Sequence, residues 1–352
     1  MAQPIIHRGD FEPRRNFFRA WEKQRNRREV HWFVECFAEA LGVFFYVFAG
    51  VGSQVLWNTG NILVSAKLAP VGLSSIFQIG FAYMGGILLA LGVCAGTSGG
   101  HFNPCVTIAF VVFKGFPVPK ALRYIVAQIL GAYIACLLIY AQYRLIFQEC
   151  TAILKAAGKF DALNFTPNGL AGVFGMYLLP GQSLGLAFLN EFVTDTFIAL
   201  AIWASLDSSN ALIPPVMGPV LVAVAYGTAI WGFSLAGLTA NSARDIGGRL
   251  MAMTIWGRKA AGGRYAAIAA LTNIPATLLA AAIYEFLLTD SDRVVTSAAY
   301  EFGMGHVNHR RHKKEMPNFG NVQKLNDSER QTPVDDDKPS AFNYEHSQTV
   351  PR

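Results

Sequence analysis

The sequence predicts an all-α membrane protein: six transmembrane helices and two half-helices in inverted three-span repeats. Three observations lead there. First, 53% of the 352 residues are hydrophobic and only 15% charged, the balance of a polytopic membrane chain. Second, six apolar stretches reach the roughly 20 residues needed to cross a core of about 30 Å. Third, two shorter apolar stretches each open on an Asn, at Asn103 and Asn241, one in each half of the chain. An unpaired polar side chain in hydrocarbon costs several kcal/mol. Two such helix starts therefore predict broken helices that meet at the membrane midplane around an aqueous path.

The spans are expected near residues 33–57, 72–95, 121–147, 184–206, 211–234 and 266–289. Residues 103–115 and 241–252 are the half-helices, and Pro117 and Pro119 are expected to end the first of them. The channel domain is thus 33–289, with repeats near 33–147 and 184–289, between a basic tail (1–32) and a polar, disordered tail (290–352). Of 29 Lys and Arg, 8 lie in residues 1–32 and 9 after residue 290. An even number of spans puts both basic ends on one side, which the positive-inside rule makes cytoplasmic. Arg249, Arg258, Lys259 and Arg264 run against the rule, on the expected outer side. A net charge of +6 beside apolar spans marks membrane orientation rather than nucleic-acid binding. The first apolar stretch is too long for a cleavable signal. The five cysteines lack disulfide or metal spacing, and neither a nucleophile nor a metal constellation points to an enzyme.

The two halves also repeat. Glu39 sits early in span one and Glu191 early in span four, and each is followed two spans later by an Asn-led half-helix. Three spans per repeat give the halves opposite topology, an architecture that secondary transporters share. On pattern alone an ion-coupled transporter stays open.

The motifs narrow the choice. Over roughly residues 33–289 the chain resembles the major intrinsic protein family, the aquaporins and aquaglyceroporins. The resemblance rests on Asn103-Pro104-Cys105 and Asn241-Ser242-Ala243, with His101 before the first box and Arg244-Asp245 after the second. It implies the aquaporin fold, one pore per subunit of a homotetramer, and passive flux of water and small neutral solutes such as glycerol or hydrogen peroxide. It also implies a plasma-membrane location, no cofactor and exclusion of ions, with a poorly conducting structural member as a further alternative. The Asn103 and Asn241 amides would donate to a passing oxygen. Two half-helix N-termini, each carrying about half a positive charge, would repel cations.

By the same resemblance the constriction falls on Tyr83, Ala229, Leu238 and Arg244, with Ile230 the choice after a one-residue slip at Ala229. Glu39 and Glu191 would accept hydrogen bonds from the loops before the half-helices. No His occurs between His101 and His306, so the narrowing His of water-selective members is missing, and Asp245 marks the glycerol-conducting branch. Both boxes depart from Asn-Pro-Ala. Cys105 reads as a small packing residue, and Ser242 replaces a helix-opening Pro whose restoration is expected to be tolerated, leaving the protein folded and conducting. Asn164-Phe165-Thr166 is a possible glycosylation acceptor in the outer loop, and Gly85, Gly86, Gly131 and Gly185 are expected at close helix contacts.

Overall fold

A computed structural model describes residues 14–304 together with Arg8 and Glu12; the basic and acidic runs after residue 304 lie outside the described residues. A short helix, α1 (Asn16–Arg25), leaves Phe17, Phe18 and Trp21 exposed. The first repeat follows as α2 (Arg28–Ser65), α3 (Ile76–Ser98), the half-helix α4 (Pro104–Lys114) and α5 (Val118–Gln142). A connecting segment carries α6 (Arg144–Ala156) and α7 (Phe160–Leu163). The second repeat is α8 (Leu184–Leu206), α9 (Gly218–Phe233), the half-helix α10 (Ser242–Trp256) and the broken pair α11 (Tyr265–Leu271) and α12 (Asn273–Ile283). No strand occurs among the described residues. Five of the crossing segments are long and apolar enough to span a bilayer, and α9 is a shorter apolar one.

Several boundaries differ from the sequence expectation for local reasons. At 38 residues α2 is about 57 Å long, well over the roughly 30 Å of a hydrocarbon core. Pro214 and Pro215 delay the fifth crossing to Gly218, so α9 has 16 residues, about 24 Å, extended by a 3-10 turn at Ser234–Ala236. The third crossing stops at Gln142, and residues expected to belong to it begin α6 instead. Pro117 and Pro119 do not end α4. Gly115 does, in the left-handed conformation (φ 68°), with Phe116 N donating to Phe110 O at 3.0 Å. Pro117 caps α5 and Pro119 sits in its first turn, where a missing N–H costs nothing. Pro275 withholds the donor that would complete the ladder in the last crossing, which divides at Thr272. Residues 290–296 close back on the chain, with Thr296 N donating to Ser208 O at 3.0 Å.

Close helix packing rests on two of the four glycines singled out. A methyl at Gly131 would stand 2.1 Å from Ala40 O, and one at Gly86 would stand 2.8 Å from Phe45 O, so both helices lie directly against the backbone of α2. Gly85 meets nothing within 4 Å, and Gly185 only the Ser183 hydroxyl at 3.7 Å. Gly131→Leu is therefore expected to cost more than the 1–3 kcal/mol typical of overpacking, because a backbone carbonyl cannot turn aside. Fluorescence-detected size exclusion in detergent should show its folded peak lost, with Gly85→Leu retaining it.

Candidate functional site

The two half-helices start against one another. Asn103 Nδ2 donates to Ala240 O at 3.0 Å, and Asn241 Nδ2 donates to Phe102 O at 2.9 Å. Each amide thus satisfies the carbonyl that precedes the other's box. The side-chain oxygens cap their own helices: Asn103 Oδ1 accepts from Cys105 N, and Asn241 Oδ1 from Ala243 N and Arg244 N. An NH2 group has two protons. One is committed to the crossed bond, and the second is left on Asn241. The second proton of Asn103 faces the Tyr226 hydroxyl at a long 3.4 Å.

These starts require an unusual backbone. Phe102 (φ 48°) and Ala240 (φ 57°) occupy the left-handed region although neither is Gly, at a cost of about 1–3 kcal/mol each. The two buried glutamates hold them there. Glu39 accepts from His101 N at 3.1 Å and Phe102 N at 2.8 Å; Glu191 accepts from Thr239 N and Ala240 N at 2.8–2.9 Å. Gln128 Nε2 adds a third donor to Glu39 at 2.7 Å. His101 lies within a ring of Phe110, Phe116 and Tyr124, with Nδ1 beside Thr107 Oγ1 at 3.2 Å. Its ring thereby ties the loop to α4 and α5. In the approach to the first box, Gly99 and Gly100 (φ 95° and 72°) turn the chain where a side chain would be strained.

Beyond the midplane, toward the C-terminal half of α2 and the start of α3, a cavity of about 130 Å3 is lined by Tyr46, Gln54, Tyr83, Ile230, Leu238 and Arg244 among others. Of the four positions expected at the constriction, Tyr83, Leu238 and Arg244 are among its lining residues. Ala229 is not: it is fully buried, and Ile230 occupies the wall. Adjacent helical residues point about 100° apart, so a slip of one position exchanges wall for core. Arg244 is 2% exposed and held from three directions. Its Nε donates to Tyr83 OH at 3.1 Å, its Nη1 to Phe174 O, and its Nη2 to Gln54 Oε1 at 2.6 Å and Val173 O at 3.3 Å.

Asp245 has a different task. It binds Arg249 through both oxygens at 2.7 and 2.9 Å and accepts from Met176 N at 3.1 Å, while Arg249 donates onward to Met176 O at 2.8 Å. This pair clamps the connecting segment to α10. It also removes Arg249 from the exceptions to the positive-inside pattern, because that charge is buried and neutralised rather than in a loop.

Burial and bonding bear on three further residues. Asn164 is fully buried, so its side chain cannot be a glycosylation acceptor. Cys105 is 3% exposed and packs inside the half-helix contact. Ser242 is more than a substitute for Pro: its hydroxyl lies 2.7 Å from both Ala270 O and Asn273 Oδ1. Sequence reasoning missed Gln54, Asn58, Gln128 and Asn273. Their common signal is a polar amide within an apolar crossing, which lipid does not tolerate without a partner. Among the described residues no cluster of three or more His, Cys, Asp or Glu side chains could hold a metal.

Comparison with known proteins agrees with this geometry. The family model for major intrinsic proteins matches residues 26–260. The chain belongs to the major intrinsic protein family. Its aquaporin and aquaglyceroporin relatives include Aquaporin-3 of Laccaria bicolor, 57% identical over 334 residues that cover 95% of this chain and 99% of that protein. The glycerol uptake facilitator protein of Haemophilus influenzae is 34% identical over 65% of this chain and 83% of its own length. The X-ray structure of the aquaglyceroporin from Plasmodium falciparum superposes with a TM-score of 0.61 at 19% identity, over 73% of this chain and 97% of that one, a likeness of fold. As a major intrinsic protein the chain is an integral membrane channel.

The Ser242 contacts attach a cost in stability to Pro at that position. Ser242→Pro removes the hydroxyl partner of the buried Asn273 amide, a loss of about 1–3 kcal/mol. A rigid first turn returns only about 0.4–1 kcal/mol. Thermal unfolding in detergent should show a lowered midpoint for Ser242→Pro and Ser242→Ala alike, with the pore still conducting.

Proposed function

We propose that this protein is a passive channel for water and small neutral solutes, glycerol and hydrogen peroxide among them, that excludes protons and other ions. The observation that carries the reading is the crossed pair of half-helix starts. Two positive helix ends converge at the midplane, with an Asn241 N–H left unpaired there. A water that donates in neither direction at such a point breaks a proton wire, and the buried Arg244 adds a second positive barrier. The cavity wall beside that Arg is half apolar, from Leu238 and Ile230, which suits solutes with a hydrocarbon face. Relatives named for the uptake of glycerol and of propanediol support the same class of solute.

The basic residues at both ends of the sequence support cytoplasmic termini and a plasma-membrane protein. A homotetramer with one pore per subunit is the assembly this fold implies. The glutamates that a transporter would need for proton relay are instead occupied by backbone donors.

Stopped-flow light scattering on vesicles carrying the purified protein tests the solutes, with entrapped pH-sensitive dye to read protons. Water and glycerol permeability well above protein-free vesicles is expected, with no proton current; a proton conductance that tracks water flux sinks the mechanism. Asn241→Leu is expected to abolish flux at normal expression, since it removes the midplane donor and puts an apolar side chain across the path. Arg244→Val is expected to admit larger polyols, and unchanged selectivity in that variant would show that Arg244 does not line the constriction.

A further inference from the structure

Gln54 lies in α2, on an element outside the four positions assigned to the constriction, yet it is bonded to two of them. Arg244 Nε donates to Tyr83 OH at 3.1 Å, Tyr83 OH donates to Gln54 Oε1 at 3.1 Å, and Arg244 Nη2 donates to the same oxygen at 2.6 Å. The three side chains close a ring of hydrogen bonds. Gly50, one turn earlier in α2, makes the ring possible. A methyl there would stand 2.1 Å from the Tyr83 ring, so only a bare backbone lets that ring lie against the helix and bring its hydroxyl to Gln54.

The ring assigns the Gln54 amide. Its oxygen faces two donors, so a reversed amide would set N–H against N–H; Nε2 must point away from Arg244 and Tyr83. No described residue accepts from Nε2, and Gln54 lines the cavity. Arg244 meanwhile has spent most of its donors. Of five guanidinium N–H groups, contacts to Tyr83, Phe174, Val173 and Gln54 occupy all but one on Nη1. The cavity therefore offers unpaired donors from two elements, one N–H on Arg244 and the Nε2 N–H groups of Gln54. Leu238 and Ile230 also line it.

We propose that Gln54 is a specificity-determining residue of this pore: its carbonyl fixes Arg244 and Tyr83, and its amide N–H is a second donor to the permeating solute. Two donors beside an apolar wall match a solute that carries hydroxyl oxygens on one side and C–H groups on the other. Water needs only one donor at a time, whereas a polyol keeps two oxygens satisfied while it sheds its hydration. Gln54 thus sets the ratio of polyol to water flux. This inference rests on the channel reading above.

The test compares glycerol and water permeability in the same vesicles for wild type, Gln54→Glu and Gln54→Leu. Gln54→Glu is nearly isosteric and keeps an acceptor for Arg244 and Tyr83, but it removes the N–H and adds a negative charge. The glycerol-to-water ratio is expected to fall at least about fivefold, equivalent to about 1 kcal/mol for one lost hydrogen bond, and methylammonium should begin to enter. Gln54→Leu removes carbonyl and donor together, and its ratio should fall at least as far. Because water flux through each variant is the internal reference, a lower yield of folded protein does not mimic the effect. Wild type without glycerol flux overturns the channel reading and this inference with it. Glycerol flux in wild type with an unchanged ratio in Gln54→Glu overturns this inference alone.

Discussion

Two loops enter the membrane from opposite sides and must end, fully hydrogen-bonded, at its midplane. Everything else in the structure depends on that requirement. An unpaired backbone carbonyl at that depth costs several kcal/mol, and each loop presents one just before its half-helix. The chain answers by exchange: Asn103 serves Ala240, and Asn241 serves Phe102. Neither loop is satisfied alone, so the two repeats fold as one body. The strain at Phe102 and Ala240 is tolerated for the same reason. Carboxylates of Glu39 and Glu191 gather the N–H groups on either side and leave the backbone no cheaper conformation.

The same economy of donors governs the chemistry of the path. The polar groups that face the midplane and the cavity are mostly committed to the protein, and only a few N–H groups are left to a passing solute. Asn241 retains one N–H, Arg244 retains one, and Gln54 retains its amide donors. Arg244 is buried and held by four hydrogen bonds, which fixes the position of its charge beside the cavity. The Asp245–Arg249 clamp serves it indirectly. By tying Met176 to α10, it fixes the segment whose Val173 and Phe174 carbonyls receive the Arg244 guanidinium.

The departures from the Asn-Pro-Ala pattern are compensated locally. In the first box Pro104 sets the helix start and Cys105 fills a buried site. In the second, Ser242 lacks the preset angle of Pro but anchors the start through Ala270 and Asn273. That anchor sits where Pro275 has already interrupted the last crossing. The broken helix and the irregular box are therefore one arrangement.

Sequence alone determined the class of fold and most of the midplane. Length and polarity decide which segments cross hydrocarbon, because a bilayer leaves few alternatives, and the order of Glu, then Asn two spans later, recurs in both halves whatever the boundary error. Only the tertiary structure decided which neighbours those residues meet. Ile230 displaced Ala229 on the wall because one residue is 100° of helix. Pro117 proved to be a helix start because Gly115 had already supplied the stop. Asn164 matched a surface motif but lies in the interior. Gln54 was invisible as a partner of Tyr83 and Arg244 because its contacts depend on Gly50 letting Tyr83 lie against a helix 29 residues away. Periodicity reports which face of a helix is wet; which donor meets which acceptor across the bundle is fixed by packing between elements far apart in the chain.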